Sequence, residues 1–163
     1  MAVLNIILEG DPILRKKSKA VETITSRIIT ILDDMAETLI KAEGVGLAAP
    51  QVGILRRIFV INEIDPETGE NKIIDFINPK IVATIGTQEN IEGCLSLPGK
   101  CGVTRRPETV TVEAKDRNGK LFSYTGSDLY ARCLCHEYDH LDGVLYIDHA
   151  LRMIDPEELE TDE

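Results

Sequence analysis

The stretch Ser127-Asp-Leu-Tyr-Ala-Arg-Cys-Leu-Cys-His-Glu-Tyr-Asp-His-Leu-Asp-Gly143 carries the strongest structural signal in this sequence. It predicts a helix that ends at Asp142, because Ser127 or Asp128 can cap its start and Gly143 suits the position after its end. Apolar and polar side chains share one stripe at helical spacing: Leu129, Cys133, His136 and His140. We therefore expect a central helix whose stripe faces inward.

Two histidines of this helix have the spacing of a metal-binding pair. His136 and His140 are four residues apart, so their imidazoles lie on one face, one turn from each other. Glu137 is then placed to handle the proton of a water bound to the metal. The competing interpretation is a solvated helix face. The inward stripe argues against it, since buried imidazoles need polar partners.

A catalytic zinc-type site has three protein ligands and one open position, so a third ligand must come from elsewhere. Cys94 is the best candidate, because Gly93 and Pro98 bracket a short extended segment around it. Taken alone, Cys94 would be interpreted as a buried free cysteine. His149 follows the end of the helix and a predicted strand, and we expect it at the surface.

The rest of the chain predicts an α+β fold. An amphipathic helix is expected from about Thr25 to Glu43, ending at Gly44. Segments predicted as strands are 57–61, 72–77, 80–85, 109–115, 120–124 and 144–147. The order of helix, strands and helix predicts mostly antiparallel β-sheets packed around the central HExxH-bearing helix, with an N-terminal helix.

Length and composition set the class of protein. The 163 residues suit one catalytic domain at 1–150 and a short acidic C-terminal tail at 151–163, whose residues 155–163 we expect to fray. A net charge of −10 argues against direct nucleic-acid binding. We expect no membrane span and no signal peptide, which predicts a cytoplasmic protein. The four cysteines then favour metal binding or burial over disulfides.

Three segments, in this order, resemble the peptide deformylase family: Gly44-Val-Gly-Leu-Ala-Ala-Pro-Gln51, Glu92-Gly-Cys-Leu-Ser96, and His136-Glu-Tyr-Asp-His140 with Leu141-Asp-Gly143. The resemblance extends to Asp11-Pro12, Leu14-Arg15 and Arg106-Pro107, and covers about residues 1–150. This family removes the N-formyl group from the first methionine of newly made polypeptides and releases formate.

The resemblance implies a role for each residue of the reaction centre. Cys94, His136 and His140 would bind the metal. A metal-bound water would attack the formyl carbon, and Glu137 would take its proton and pass it to the departing amine. The Gln51 side-chain amide and the Leu95 backbone N–H would stabilise the oxyanion.

The resemblance also implies how substrate is held. Val45, Leu129 and Cys133 would line the methionine pocket, although plain core packing is the alternative for them. Substrate backbone would pair as an added strand beside Gly46. Arg106 would lie near the pocket mouth and could pair with Glu92.

Cofactor and partners follow from the same resemblance. We expect one divalent metal ion per chain, with Fe(II) native and zinc, nickel or cobalt able to replace it. The expected partners are nascent formyl-methionyl polypeptides, with a transient ribosome contact and a monomeric enzyme. Two departures from the family pattern are Cys135, where glutamine often stands, and the short acidic tail.

Three alternatives remain open at this point. A generic HExxH metalloprotease would take His149 or a tail acid as its third ligand. A non-catalytic deformylase-like binding protein should lack Glu137, Gln51 or a ligand, and none is missing. A closed structural Cys₂His₂ site would recruit Cys133 or Cys135.

Overall fold

The computed structural model describes residues 2–155 and 157. Two α-helices, α1 (Ser26–Lys41) and α2 (Leu129–His140), lie within these residues. The strands, in chain order, are β1 (Gly46–Ala48), β2 (Ile58–Asn62), β3 (Ile73–Ile85), β4 (Gln88–Cys94), β5 (Leu97–Arg106), β6 (Thr109–Lys115), β7 (Leu121–Ser127) and β8 (Arg152–Ile154). Short 3₁₀ turns cover Pro12–Arg15, Ala49–Val52 and Tyr146–Asp148. No helix of the described part of the chain is long and apolar enough to cross a bilayer.

The strands form two antiparallel sheets. The larger has the order β1-β2-β3-β6-β7, and the smaller has the order β4-β5-β8. Each neighbouring pair within these sheets is antiparallel. The α+β prediction, with antiparallel sheets around the HExxH-bearing helix and a helix near the N-terminus, is therefore confirmed.

The core lies on both faces of the larger sheet. Every residue of β2 is buried, and alternate side chains point to opposite faces. Phe59 and Ile61 pack with the α2 side of the sheet, in the same cluster as Leu134. Ile58 and Val60 pack on the other side, against the buried stripe of α1. The sheet thus holds α2 between itself and the smaller sheet.

Two predicted strands are one strand in the structure. β3 runs through Asn78-Pro79, where the pairing with β6 shifts register between Ile77 and Lys80. Asn78 adopts a φ of 51°, and its side chain both accepts from the Val21 N–H and donates to the Val21 carbonyl. A local bulge held by these bonds replaces the predicted break.

The sequence analysis missed one hairpin and was wrong about one strand. Strands β4 and β5 pair closely, although the charged and amide residues of β4 give little apolar alternation. Residues 144–147 were predicted as a strand but lead into the 3₁₀ turn at Tyr146–Asp148. The apolar side chains there are buried because Leu145 and Tyr146 pack with Leu97 of β5, not because they belong to a sheet.

The ends of the described chain are tied to the rest of the molecule. In the N-terminal arm, Ile7 N–H donates to the Gln51 carbonyl (2.7 Å), Glu9 N–H to the Ser96 carbonyl (2.8 Å) and Ser18 N–H to the Leu141 carbonyl (2.8 Å). Strand β8 pairs with β5, so part of the segment assigned to the acidic tail lies in a sheet. Fraying was predicted for residues 155–163. Of these, only 155 and 157 belong to the part of the chain that the structure describes.

Candidate active site

The helix α2 presents two columns of side chains. Four-residue spacing aligns Leu129, Cys133 and Glu137 in one column. The neighbouring column contains Arg132, His136 and His140. The helix starts after Asp128, as predicted, but Asp128 makes no side-chain cap bond and adopts a φ of 54°. It ends at His140, two residues before the predicted end at Asp142, and Gly143 follows with a φ of 74°.

The three predicted metal ligands converge. One ligand atom each from Cys94, His136 and His140 lies within 4.8 Å of the others, and no other such cluster occurs among the described residues. The two Nε2 atoms are 3.2 Å apart, and Cys94 Sγ is 3.4 Å from Nε2 of His140. Two imidazole nitrogens and a thiol that point to one spot match the donor set of a transition-metal ion.

A register irregularity at the end of β4 places Cys94. The β4–β5 ladder shifts between Gly93 and Cys94, so Cys94 pairs with Leu97 across a tight turn. Bulges of this kind re-aim a side chain. Here the shift brings the thiol of the smaller sheet to the histidines of α2.

A buried carboxylate orients His136. Glu92 Oε2 lies 2.6 Å from His136 Nδ1, which leaves Nε2 of that ring for a metal. Arg106 binds both oxygens of Glu92 through Nε (3.0 Å) and NH2 (2.8 Å), and Thr104 donates to Oε1 at 2.8 Å. Burial opposes the charge, but His136 and Arg106 outweigh it and hold the pKa of Glu92 well below its ordinary value.

The structure does not place Arg106 near the pocket mouth, where it was predicted. The pairing with Glu92 is confirmed, but Arg106 is only 6% exposed and does not line the cleft beside the metal ligands. Its NH1 donates to Asp139 of α2 at 2.7 Å, so two carboxylates hold it behind His136. Arg106 therefore acts on Glu92 and not on substrate at a pocket mouth.

Burial shapes the protonation of both histidines. Burial lowers the pKa of His140 well below its ordinary value, which keeps the ring neutral, as metal ligation requires. Burial also opposes a charge on His136, but Glu137, Cys94 and Glu92 together raise its pKa well above the ordinary value. Because only the neutral ring binds a metal, a proton and a metal ion would compete for Nε2 of His136.

Glu137 lies beside the ligand cluster and is almost completely buried. Burial raises the pKa of Glu137 to about 7, and the acids Glu92 and Asp139 add to the rise. Its Oε1 has no hydrogen-bond partner among the described residues, and neither does Nδ1 of His140. A carboxylate with a pKa near neutrality and a free oxygen is suited to carry a proton.

Gly46 allows β1 to approach this carboxylate. A Cβ at position 46 would lie 2.6 Å from Oε2 of Glu137 and 2.6 Å from Sγ of Cys133. Neither contact leaves room for a side chain. The backbone of β1 therefore lies directly against Glu137 and Cys133.

Gln51 lies in the 3₁₀ turn that follows β1 and is buried. Its Oε1 accepts from the Ala48 N–H at 2.9 Å, which orients the amide group. Its Nε2 donates to Ser96 Oγ at 3.1 Å and lies 3.5 Å from Cys94 Sγ. The amide donor thus points toward the predicted metal centre.

A cleft of about 330 Å³ opens onto these groups. The predicted residues Val45, Gly46, Leu95, Leu129 and Cys133 all line it. Besides the glycines Gly44 and Gly93, the lining includes two side chains that sequence reasoning missed, those of Ile91 and Arg132. Arg132 could have been found from its position four residues before His136.

The structure does not favour the other metal sites that the sequence left open. His149 is separate from the cluster and lies 3.6 Å from Asp139. Cys133 faces Glu137 at 3.9 Å, and neither Cys133 nor Cys135 joins the ligand atoms. All four cysteines are free thiols. Among the described residues the cluster therefore offers three candidate ligand atoms, from Cys94, His136 and His140.

An α+β fold that brings a Cys-His-His cluster and a buried glutamate to one cleft defines a metal-dependent hydrolase. A family model described as polypeptide deformylase matches residues 3–155. The chain belongs to the peptide deformylase family, and it is a metal-dependent enzyme that removes the formyl group from the N-terminus of polypeptides.

Individual members of the family are similar to this chain over nearly its whole length. The peptide deformylase of Caldanaerobacter subterraneus subsp. tengcongensis is 53% identical over 98% of this chain and 97% of its own length. That of Acetivibrio thermocellus is 52% identical over 98% of this chain and 91% of its own. The crystal structure of a peptide deformylase from Legionella pneumophila superposes with a TM-score of 0.86 at 44% identity, over 91% of this chain and 86% of its own.

Proposed function

We propose that the convergent cluster is the catalytic metal centre of this deformylase, with Cys94, His136 and His140 as ligands. The observation that carries the proposal is the spacing of the three ligand atoms within 4.8 Å beside the buried Glu137. A divalent ion at this site supplies the Lewis acidity that makes water a nucleophile near neutral pH.

Glu137 is the general acid and base of the reaction. With a pKa of about 7, its carboxylate both accepts a proton from water and returns it to the departing amine nitrogen at neutral pH. Its unpartnered Oε1 is the atom available for that proton. Gly46 has no Cβ, which lets the β1 backbone lie directly against this carboxylate.

Gln51 and Leu95 stabilise the oxyanion. The Gln51 amide is fixed at its oxygen end by Ala48, so its Nε2 is already oriented when charge develops. Leu95 follows Cys94 directly, and its backbone N–H is the second donor. A donor fixed in advance needs no reorganisation during the reaction.

The cleft holds the methionine side chain. Val45, Leu129 and Cys133 supply an apolar lining, which suits a thioether. The backbone of Gly46, at the start of β1, is the edge on which substrate pairs as an added strand.

Ferrous iron is the native metal, and zinc, nickel or cobalt can replace it. One thiolate and two imidazoles accept all of these ions, so availability in the cell decides between them. The enzyme works in the cytoplasm as a monomer. It acts there on nascent formyl-methionyl polypeptides and contacts the ribosome transiently.

The test is formate release from formyl-Met-Ala-Ser by the metal-loaded enzyme. Glu137→Ala should lower kcat by about 10²- to 10⁴-fold, because a positioned acid or base contributes that much. Metal content per chain should stay at the wild-type level. Glu113→Ala, at an exposed acid of β6, is the control. Wild-type rates from Glu137→Ala would remove this residue from the mechanism.

A further inference from the structure

The second column of α2 adds an arginine to the lining of the cleft. Arg132 precedes His136 by one helical turn, which is about 6 Å along the axis. It lines the cleft together with Leu129 and Ile91, while Glu137 and His136 lie nearer the metal centre. The lining thus includes both the groups proposed to react and, one helical turn before His136, an arginine.

Strand β4 supports two of the three polar members of this column, Arg132 and His136. Glu92 binds His136, and Gln88, one four-residue step earlier on β4, accepts from Arg132 NH1 at 2.8 Å. The Gln88 amide is itself fixed, because its Nε2 donates to the Pro107 carbonyl (2.9 Å) and the Asp128 carbonyl (3.0 Å). The guanidinium is therefore held in position from one side.

The remaining donors of Arg132 are unused. Gln88 is its only hydrogen-bond acceptor among the described residues, and no described carboxylate lies within ion-pair distance of it. Arg106, on the same side of α2, has two carboxylates, and Arg105 is paired with Glu89 at 2.7 Å. Arg132 thus brings spare N–H donors to a cleft whose other walls are largely apolar.

We propose that Arg132 makes the pocket accept a first side chain of methionine length that carries an acceptor oxygen near its tip, above all methionine sulfoxide. This inference rests on the proposed function, since it takes the cleft to hold the first side chain. The thioether of methionine is a weak acceptor and leaves the guanidinium unsatisfied. A sulfoxide oxygen accepts a charge-assisted hydrogen bond, which is worth about tenfold or more in binding.

The experiment compares kcat/KM for three peptides: formyl-Met-Ala-Ser, the same peptide with methionine sulfoxide, and the same peptide with norleucine. The measured quantity is the ratio of the sulfoxide value to the norleucine value. Arg132→Met should lower this ratio at least tenfold, mainly through KM, and Arg132→Lys should restore part of it. Arg105→Met, at an exposed residue of β5 outside the cleft, should leave the ratio unchanged.

The outcomes separate this inference from the proposed function. If Arg132→Met leaves the ratio unchanged, or if the wild type cleaves formyl-Met-Ala-Ser but not its sulfoxide, the inference is wrong and the function stands. The inference is also wrong if Arg132→Met instead lowers kcat/KM for formyl-Met-Glu-Ser, whose second residue is acidic. If the metal-loaded wild type cleaves no formyl peptide, the proposed function itself fails. Thermal midpoints and metal content show that each variant is folded.

Discussion

Glu92 is a buried carboxylate that touches a metal ligand and an arginine, so a single residue links the chemistry of the site to its stability. Neutralising it leaves Arg106 buried beside only Asp139. Loss of one partner of a buried ion pair costs about 3–5 kcal/mol. We therefore expect Glu92→Gln to be less stable than the wild type by about 3 kcal/mol at pH 7 in urea unfolding.

The pH dependence of that difference has a definite sign. The folded pKa of Glu92 lies below its ordinary value of 4.5, so the carboxylate stabilises the fold fully above that pH. This contribution is lost progressively as pH falls below about 4.5 toward the folded pKa. Unfolding curves at pH 7 and pH 3.5 should show a smaller gap between wild type and Glu92→Gln at the lower pH. A constant gap would contradict the assignment.

Cys94 and ferrous iron are both open to oxidation, and this predicts sensitivity to air. The iron form should lose activity in air within the period of an assay, and the nickel form should keep it. Formate release is measured from the two forms after equal exposure, with metal content checked at each time point. Full activity of the verified iron form after exposure would count against iron as the native metal.

At the residue scale, the sequence was sufficient to single out the side chains that converge in the structure, because helical spacing and one bracketed cysteine mark Cys94, His136 and His140. It was not sufficient for Arg106, whose position behind His136 depends on the register between β4 and β5. Nor did it assign a role to Arg132, because a helical arginine is normally a solvated residue. Both failures concern contacts between α2 and a strand that the sequence did not predict.

At the scale of elements, the end of α2 depends on one glycine. Gly143 has a φ of 74°, and a Cβ there would lie 2.4 Å from the Arg15 carbonyl oxygen. Gly69 has a φ of 73° with no atom within 4 Å of its Cβ position. Substituting Gly69 therefore measures the cost of backbone strain alone, without a steric clash. Gly69→Ala should cost about 1 kcal/mol and Gly143→Ala about 3 kcal/mol or more.

The measurement is chemical unfolding of both variants beside the wild type. The extra loss in Gly143→Ala should be accompanied by lower metal content, because the end of α2 carries His140. Equal losses in the two variants would show that the contact with Arg15 contributes nothing.

The elements that could be predicted were those with local signals. Helix α1 could be predicted from its stripe of apolar residues at helical spacing. The β6–β7 hairpin could be predicted from alternating apolar and polar residues on either side of the turn Asp116-Arg-Asn-Gly119. Strand β4 gave no such signal, because its inward residues Gln88 and Glu92 are polar and hydrogen-bond to side chains of α2. The segment 144–147 gave a false signal, since the apolar run packs on β5 without pairing.

At the scale of the whole molecule, a metal at the proposed site would join the two sheets. Cys94 belongs to the smaller sheet, while His136 and His140 belong to the helix that packs on the larger one. A ligand that binds only the folded state adds to its stability. Removal of the metal by a chelator should lower the thermal midpoint by about 10 °C, if free metal had exceeded its Kd roughly a thousandfold.

The control for chelation is a variant that binds no metal. Cys94→Ala should show the lower midpoint from the start and no response to chelator. Calorimetry of both proteins with and without chelator gives the comparison. An unchanged wild-type midpoint, with metal loss verified, would show that the metal does not hold the two parts together.

The arm formed by residues 2–18 has a consequence for how this enzyme is made. It is synthesised before the groups that accept its hydrogen bonds, which are Asp34 and Thr38 on α1 and then Gln51, Ser96 and Leu141. Contacts between residues far apart in sequence slow folding. The start of the arm can therefore dock once α1 has formed, but Ser18 must wait for Leu141 at the end of α2. An enzyme that processes emerging chains would thus have no activity of its own until α2, which carries His136, Glu137 and His140, had emerged.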